Sequence, residues 1–375
     1  MLVLLGIFLG LAMWVLNWVY LVLVHRSMQQ RTDMIALAGA PALLDEESLM
    51  DAAGGLAPDQ SDDVAEARAV AHRFREANNS TVAPALSLER DDVRVRAGFI
   101  ADVTGESGQV HFDAAPIADV DQPHNALKVA AVRSAARSNP VSLLLHGLFG
   151  ADSADVSAGS LASLDNLVVG FRPTPTANSP VTPLAIDMAA WRTERVADAD
   201  GNEINELELR LKSPLAAALP ANAALVAWDA QSPINLLVAE DQIELGVSLD
   251  DLHDSGGVLG PATPSAPRAV PSLAALPNAM TTRNFARAFN RLAASHARAC
   301  RVFALYDPHA SSATELSVVG FIAARVQRAV VADQRLVVFV EPCFLLHHTA
   351  WTESPTNAAL APERNAYIHK LRLSR

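Results

Sequence analysis

LVLLGIFLGLAMWVLNWVYLVLV, residues 2–24, runs straight into HRSMQQRTDMIALAGAPALL, residues 25–44, and the reading of that junction decides the fold. The first stretch has 23 residues, no charge and one strongly polar side chain, Asn17. At about 1.5 Å per residue it forms a helix of roughly 34 Å, long enough to cross a bilayer. A cleaved signal peptide has an apolar core of only about 7–15 residues with a small-residue site close behind. Here the first such run, Ala36 to Ala40, stands beyond His25, Arg26, Arg31 and Asp33, so the expectation is an uncleaved anchor. The second stretch is rich in Ala, Leu, Met and Gln, all good helix formers, and the anchor is expected to continue as one rod to about Leu44.

An unpaired amide in hydrocarbon is costly, so Asn17, with Tyr20 beside it, is expected to meet a partner helix or a backbone carbonyl. The plainer alternative is a single Asn tolerated among Leu and Val. Arg26 and Arg31 follow the span, and by charge alone they place the large domain in the cytoplasm.

The chain has 375 residues, 50% of them hydrophobic, which is ample for a packed core. Its net charge is −12, and only 3 of its 29 basic residues are Lys, so no nucleic-acid partner is expected. Cys300 and Cys343 fit one disulfide in an oxidising compartment and fit two buried thiols equally well.

The expected fold class is α+β: the anchor helix extended as a rod, then a β-rich antiparallel body with a few short helices. The divisions are an anchor at 1–24, its Ala-rich extension at 25–57, an α+β domain at 58–252, a linker or surface loop at 253–280, and a helix-plus-strand region at 281–375. Ser61 caps a helix over 62–78 with Val64, Ala67, Ala71 and Phe74 on one face; His72 lies on the shoulder of that face. Alternation predicts a strand over 93–99, and others are expected near 110–112, 126–133, 155–162, 167–171, 206–212, 224–228 and 234–239. Asn139, Pro140 and Gly150 supply the cap, first position and stop of a short helix. Residues 253–280 are rich in Pro, Gly, Ser and Ala, as linkers are. Beyond them Phe285, Phe289, Leu292 and His296 share one helix face, and Arg283, Arg287 and Arg291 another. The last 75 residues return to strands.

The order of an N-terminal span, a short polar turn and RTDMIALAGAPALL resembles the TadE/TadG-like proteins of the Tad (Flp) pilus assembly machinery. Asp33 and the run Ala36, Leu37, Ala38, Gly39, Ala40 match the family's Ala-rich helix, and Tyr20 matches its Tyr. Asn17 stands where the family usually has Asp. PHNALKVAAVRSAARSNPVSLLLHGLFGADSADVSAGSLA (123–162), LVVGFRPT and TPLAIDMAAW look similar to later family segments. The resemblance implies a single-span protein of the cytoplasmic membrane whose large domain is extracytoplasmic, against the charge count. It also implies an accessory or minor pilin-like role through contacts with other Tad pilus or membrane assembly proteins, alongside the lipid bilayer.

No chemistry rises to an enzyme. DSGG at 254–257 resembles a trypsin-like nucleophile segment, but His253 and Val258 replace the flanking Gly and Pro. A membrane-tethered envelope hydrolase using Ser255, or a sugar-binding surface protein, is the alternative. DADGNE at 198–203 has Glu203 and Leu209 where an EF-hand loop needs Gly and Glu. DVSAG at 155–159 lacks the second Ser of a von Willebrand type metal site. His347 and His348, as neighbours on a strand, would face opposite ways. There is no Walker loop or Gly-x-Gly-x-x-Gly run, so no cofactor and no catalytic or metal residue is expected.

Overall fold

The computed structural model describes residues 2–44, 61–79, 87–101, 103, 111–114, 124–145, 152–193, 206–211, 221–228, 234–273, 275–295, 299–312, 314–354, 357, 360 and 363–374. The chain divides into two compact units: unit 1 holds residues 1–44, 59–164 and 371–375, and unit 2 holds 45–58 and 165–370. The division therefore falls at 164/165, and the stretch 253–280 lies inside unit 2.

Unit 1 begins with helix α1, Leu2–Gly39, which tightens into a 3₁₀ turn at Ala40–Leu43. Pro41 at the second position of that turn lacks the N–H that a continuing α-helix would need. Helix α2, Ser61–Asn79, buries Ala67 and Ala71, with Val64 and Phe74 half-buried. Strands β1 (Val93–Ile100), β2 (Phe112–Asp113), β3 (Ala126–Arg133), β4 (Val141–Ser142), β5 (Ser153–Ala154) and β6 (Val156–Asp165) follow. The sheet order β6-β3-β1-β2 is antiparallel throughout, with Val95 opposite Val129 and Val129 opposite Ser160. On β1 the exposed Arg94 and Arg96 alternate with Val93, Val95 and Ala97, as the sequence pattern predicts.

The helix expected from Asn139 is a correction. Asn139 spends its amide on the Asp92 carboxylate, at 2.8 Å to Oδ2, and accepts from Arg133 at 3.0 Å, so its side chain is not a cap. Val141 instead pairs with Ala154, and β4 and β5 form a small hairpin. Residues 146–150 of that expected helix lie outside the described ones.

Unit 2 contains β7 (Val168–Phe171), β8 (Val181–Asp187), α3 (Met188–Thr193), β9 (Leu207–Arg210), β10 (Ala223–Val226) and α4 (Leu236–Leu245). It continues with β11 (Arg268–Leu273), α5 (Ala279–Ala294), β12 (Cys300–Asp307), β13 (Glu315–Ala332), β14 (Arg335–Pro342), β15 (Leu345–Leu346) and β16 (Ala350–Thr352). The last strand, β17 (Ile368–Ser374), starts here. The main sheet runs β11-β10-β8-β12-β13-β14-β9, and β11 also pairs with the first residues of β13. Strands β8, β10, β11, β13 and β12 thus form a closed circuit of pairings, and β14 and β9 extend from the remaining length of β13. The body is mixed rather than wholly antiparallel, because β8 and β12 run parallel.

Alternate residues of β12 serve two cores. Phe303 joins Leu184, Ile322, Phe285 and Phe289 under α5, while Val302, Ala304 and Tyr306 join Phe171, Val318 and Phe321. Two expectations fail in this unit. Residues 236–239 are helical, not extended: Asn235 accepts from the amides of Leu237 (3.1 Å) and Val238 (3.4 Å), and Ala239 and Ile243 face inward four residues apart. Residues 253–280 are not a linker, because Arg268–Leu273 pairs on both sides and Leu259 closes onto Phe171 through reciprocal backbone bonds of 2.7 and 2.9 Å.

Candidate functional site

Among the described residues there is one helix long and apolar enough to cross a membrane, and it is α1. Leu4, Ile7, Phe8, Leu11, Trp14 and Leu16 are each more than half exposed. From Asn17 onward one stripe turns inward: Asn17, Val24, Met28, Thr32, Ile35 with Ala36, then Gly39 with Ala40, and Leu43. Steps of three and four residues keep that stripe on one face of a helix.

The sequence motif lies on the docked half. A Cβ placed on Gly39 would lie 2.6 Å from Leu127 Cδ2 of β3, and 3.0 Å from both the Ala67 carbonyl oxygen and Ala71 Cβ of α2. Ala36 and Ala40 are wholly buried beside it, while Leu37 and Ala38 are half-buried. Only small side chains allow α1, α2 and β3 to meet this closely.

One turn earlier a polar group fastens the helix to β6. Gln29 Nε2 donates to Asp33 Oδ1 at 2.8 Å and to the Gly159 carbonyl at 2.9 Å. Ser160 Oγ is 2.8 Å from Thr32 Oγ1 and also bonds the Asp33 carboxylate. Thr32 is fully buried, and its hydroxyl donates to the Gln29 carbonyl at 2.9 Å. Asp33 was expected from the motif; Gln29, Thr32 and Ser160 were not. Gln29 and Thr32 carry a signal in hindsight, since polar residues seven and four places before Ala36 continue the face of its inward stripe.

Asn17 makes two bonds with one residue: its Nδ2 donates to the Leu145 carbonyl at 3.3 Å, and its Oδ1 accepts from the Leu145 N–H at 3.1 Å. Tyr20, three residues on, is half-buried.

In unit 2, Cys300 and Cys343 are joined by a disulfide. His347 and His348 lie in a turn after β15, not on a strand, and their rings stack with centroids 4.8 Å apart, which corrects the opposite-face expectation. His347 is pushed down to about 4 by burial, then by His348 and Arg301; His369 is pushed down to about 4 by burial, against a hydrogen bond with the Ala366 backbone. Burial, with Asp187 beside it, pushes Tyr306 up to about 12. No group of three or more His, Cys, Asp or Glu that could hold a metal occurs among the described residues.

Ser255 Oγ donates to the Trp228 carbonyl at 3.2 Å, which commits the hydroxyl hydrogen to the backbone. A cavity of about 250 Å³ in unit 2 lies beside Trp191, Tyr367, Arg192 and Arg364. Trp191 is only 4% exposed and its indole N–H donates to the Tyr367 hydroxyl at 3.2 Å, so it offers no open ring for a sugar. In the arginine stripe of α5, Arg291 Nε bonds Glu244 of α4 at 2.8 Å, and Arg287 bonds Asn284 at 2.8 Å. His296 and residues 198–203 lie outside the described residues.

Compared with protein-family models, with curated proteins and with solved structures, the chain shows no match to any of them.

Proposed function

We propose that this protein is a single-span accessory component of a Tad-type pilus assembly machine in the cytoplasmic membrane. Its large domain lies outside the cytoplasm, and it works through contacts with other pilus or membrane assembly proteins. The observation that carries the reading is the division of α1. Its first half exposes large apolar side chains, and its second half, with Asp33 and the Ala36–Ala40 run, is built into the folded unit. In this reading α1 is one rod that holds the body at a fixed height over the bilayer, with no cofactor and no catalytic group of its own. The disulfide supports an extracytoplasmic body, since such bonds persist in oxidising compartments.

A reporter active only outside the cytoplasm, fused after Arg375, tests the topology, and sequencing the N-terminus of the membrane-bound protein tests retention of residues 2–24. An active reporter on a chain that keeps the span supports the reading, and a silent one removes the family assignment. Deletion of the gene is expected to abolish surface pili without a hydrolytic phenotype.

A further inference from the structure

We infer that the stretch just after β4, Leu143 to Leu145, enters the lipid bilayer beside α1 and forms a second membrane contact. The inference rests on α1 being the membrane span. Asn17 lies seven residues before Val24, roughly 10 Å along the helix axis from the end of the apolar run. His25 and Arg26, both exposed, follow that end and mark the level of water and headgroups. Leu145 is bonded to Asn17 through both its N–H and its carbonyl, so Leu145 is held at the depth of Asn17. That depth agrees with the roughly 5–10 Å to which apolar surfaces sink at the headgroup boundary.

The side chains agree with a lipid occupant. Leu144 is 56% exposed, while Val141 on β4 is buried. Irregular backbone does not persist in hydrocarbon unless its polar groups are paired. Here the Leu143 N–H donates to the Asp152 carbonyl at 3.0 Å, and Asn17 pairs both groups of Leu145. An amide is suited to this task because it carries one donor and one acceptor side by side, whereas a carboxylate only accepts. Asn17 is therefore a membrane-level fastener for a loop 128 residues away.

The test uses the full chain in vesicles of phosphatidylcholine and phosphatidylglycerol, with an environment-sensitive fluorophore on Leu144→Cys or, separately, Leu9→Cys. Lipids carrying a nitroxide near the headgroup should quench the Leu144 probe at least about twofold more than aqueous iodide does, and Leu9 should respond to a deeper nitroxide. If Leu9 is lipid-quenched while Leu144 responds to iodide, the loop proposal is overturned and the anchor stands. If Leu144 responds to neither quencher, protein covers it, and the lipid assignment is again overturned. If Leu9 is not lipid-quenched, the anchor reading falls and the loop proposal with it. Asn17→Ala is expected to move the Leu144 probe from lipid to iodide quenching; unchanged lipid quenching would overturn the role given to Asn17.

Discussion

Around Gly39, where α1 meets α2 and β3, Leu127 is joined by the small residues Ala36, Ala40, Ala67 and Ala71, whereas the α5 face of unit 2 sets Phe285, Phe289 and Leu292 over Phe303 and Ile322. The first contact is close because most of its residues are small, and it carries a polar group, Gln29, Thr32, Asp33 and Ser160, next to it. The second is thick and apolar, and the other core of the same unit carries the disulfide. At Gly39 the Leu127 side chain can turn, but the Ala67 carbonyl and the Ala71 Cβ cannot, so added volume must also move backbone. A core of large side chains tolerates volume-conserving exchange and is weakened mainly by deletion. Two units of one chain therefore differ in the kind of change that breaks them.

The largest effect is expected in unit 2. Cys300 and Cys343 are 43 residues apart, and opening that loop by Cys300→Ser with Cys343→Ser should cost about 4 kcal/mol on the chain-entropy account. Hydrogen exchange should show lost protection in β12 to β14 and retained protection in β1, β3 and β6. Equal loss in both sets would erase the contrast between the units.

Acid comes next and also acts on unit 2. His369 is held neutral down to about pH 4, while the unfolded chain takes up its proton near the usual value of about 6.5. Between those values the unfolded state binds more protons, so stability falls as pH falls through the window and levels off below it. For one fully buried imidazole the loss is on the order of 3 kcal/mol. Urea titrations at several pH values should show this slope, and His369→Leu should flatten it. An acid limb unaffected by that substitution would assign the loss to other groups.

Gly39→Val tests the thin contact. The added methyl groups start from a Cβ only 2.6 Å from Leu127 Cδ2 and 3.0 Å from backbone and Ala71, so the cost should be about 2–3 kcal/mol, although Val is a better helix former than Gly. Phe289→Leu in the thick core should cost about 1–2 kcal/mol, although it empties volume where Gly39→Val adds it. A reversed order in thermal unfolding would show that the small-residue contact yields more easily than its geometry implies.

The legible parts of the fold were those fixed by local pattern. β1 follows from alternation in VRVRA, β3 from the apolar run at 126–133, and α5 from the spacing of Phe285, Phe289 and Leu292. LLVAE was misread because a short apolar run fits strand and helix alike, and its decider was Asn235 capping the run from the preceding position. The segment 253–280 was misread because Pro and Gly content describes stiffness and says nothing of pairing, yet β11 closes the strand circuit there. At the candidate site Asp33 and Gly39 were visible through their motif. Ser160 and Leu145 were not, because their partners on α1 lie 128 residues away and nothing local announces the pairing.

The smallest expected effect lies at Asp33 and separates the two ways in which unit 1 holds α1. Asp33→Ala removes the acceptor shared by Gln29 Nε2 and Ser160 Oγ, but Gln29 keeps the Gly159 carbonyl and Ser160 keeps Thr32. With each donor still paired, the loss should be about 1 kcal/mol, the scale of a net hydrogen bond rather than of an unsatisfied buried group. Asp33→Asn keeps an acceptor oxygen at nearly the same place and should restore most of it. Adding Ser160→Ala to Asp33→Ala should then cost less than the sum of the two single changes, because the Ser160–Asp33 bond is counted in both. Strict additivity in that double-mutant cycle would mean that Asp33 is solvated and that the Gly39 contact alone holds the helix.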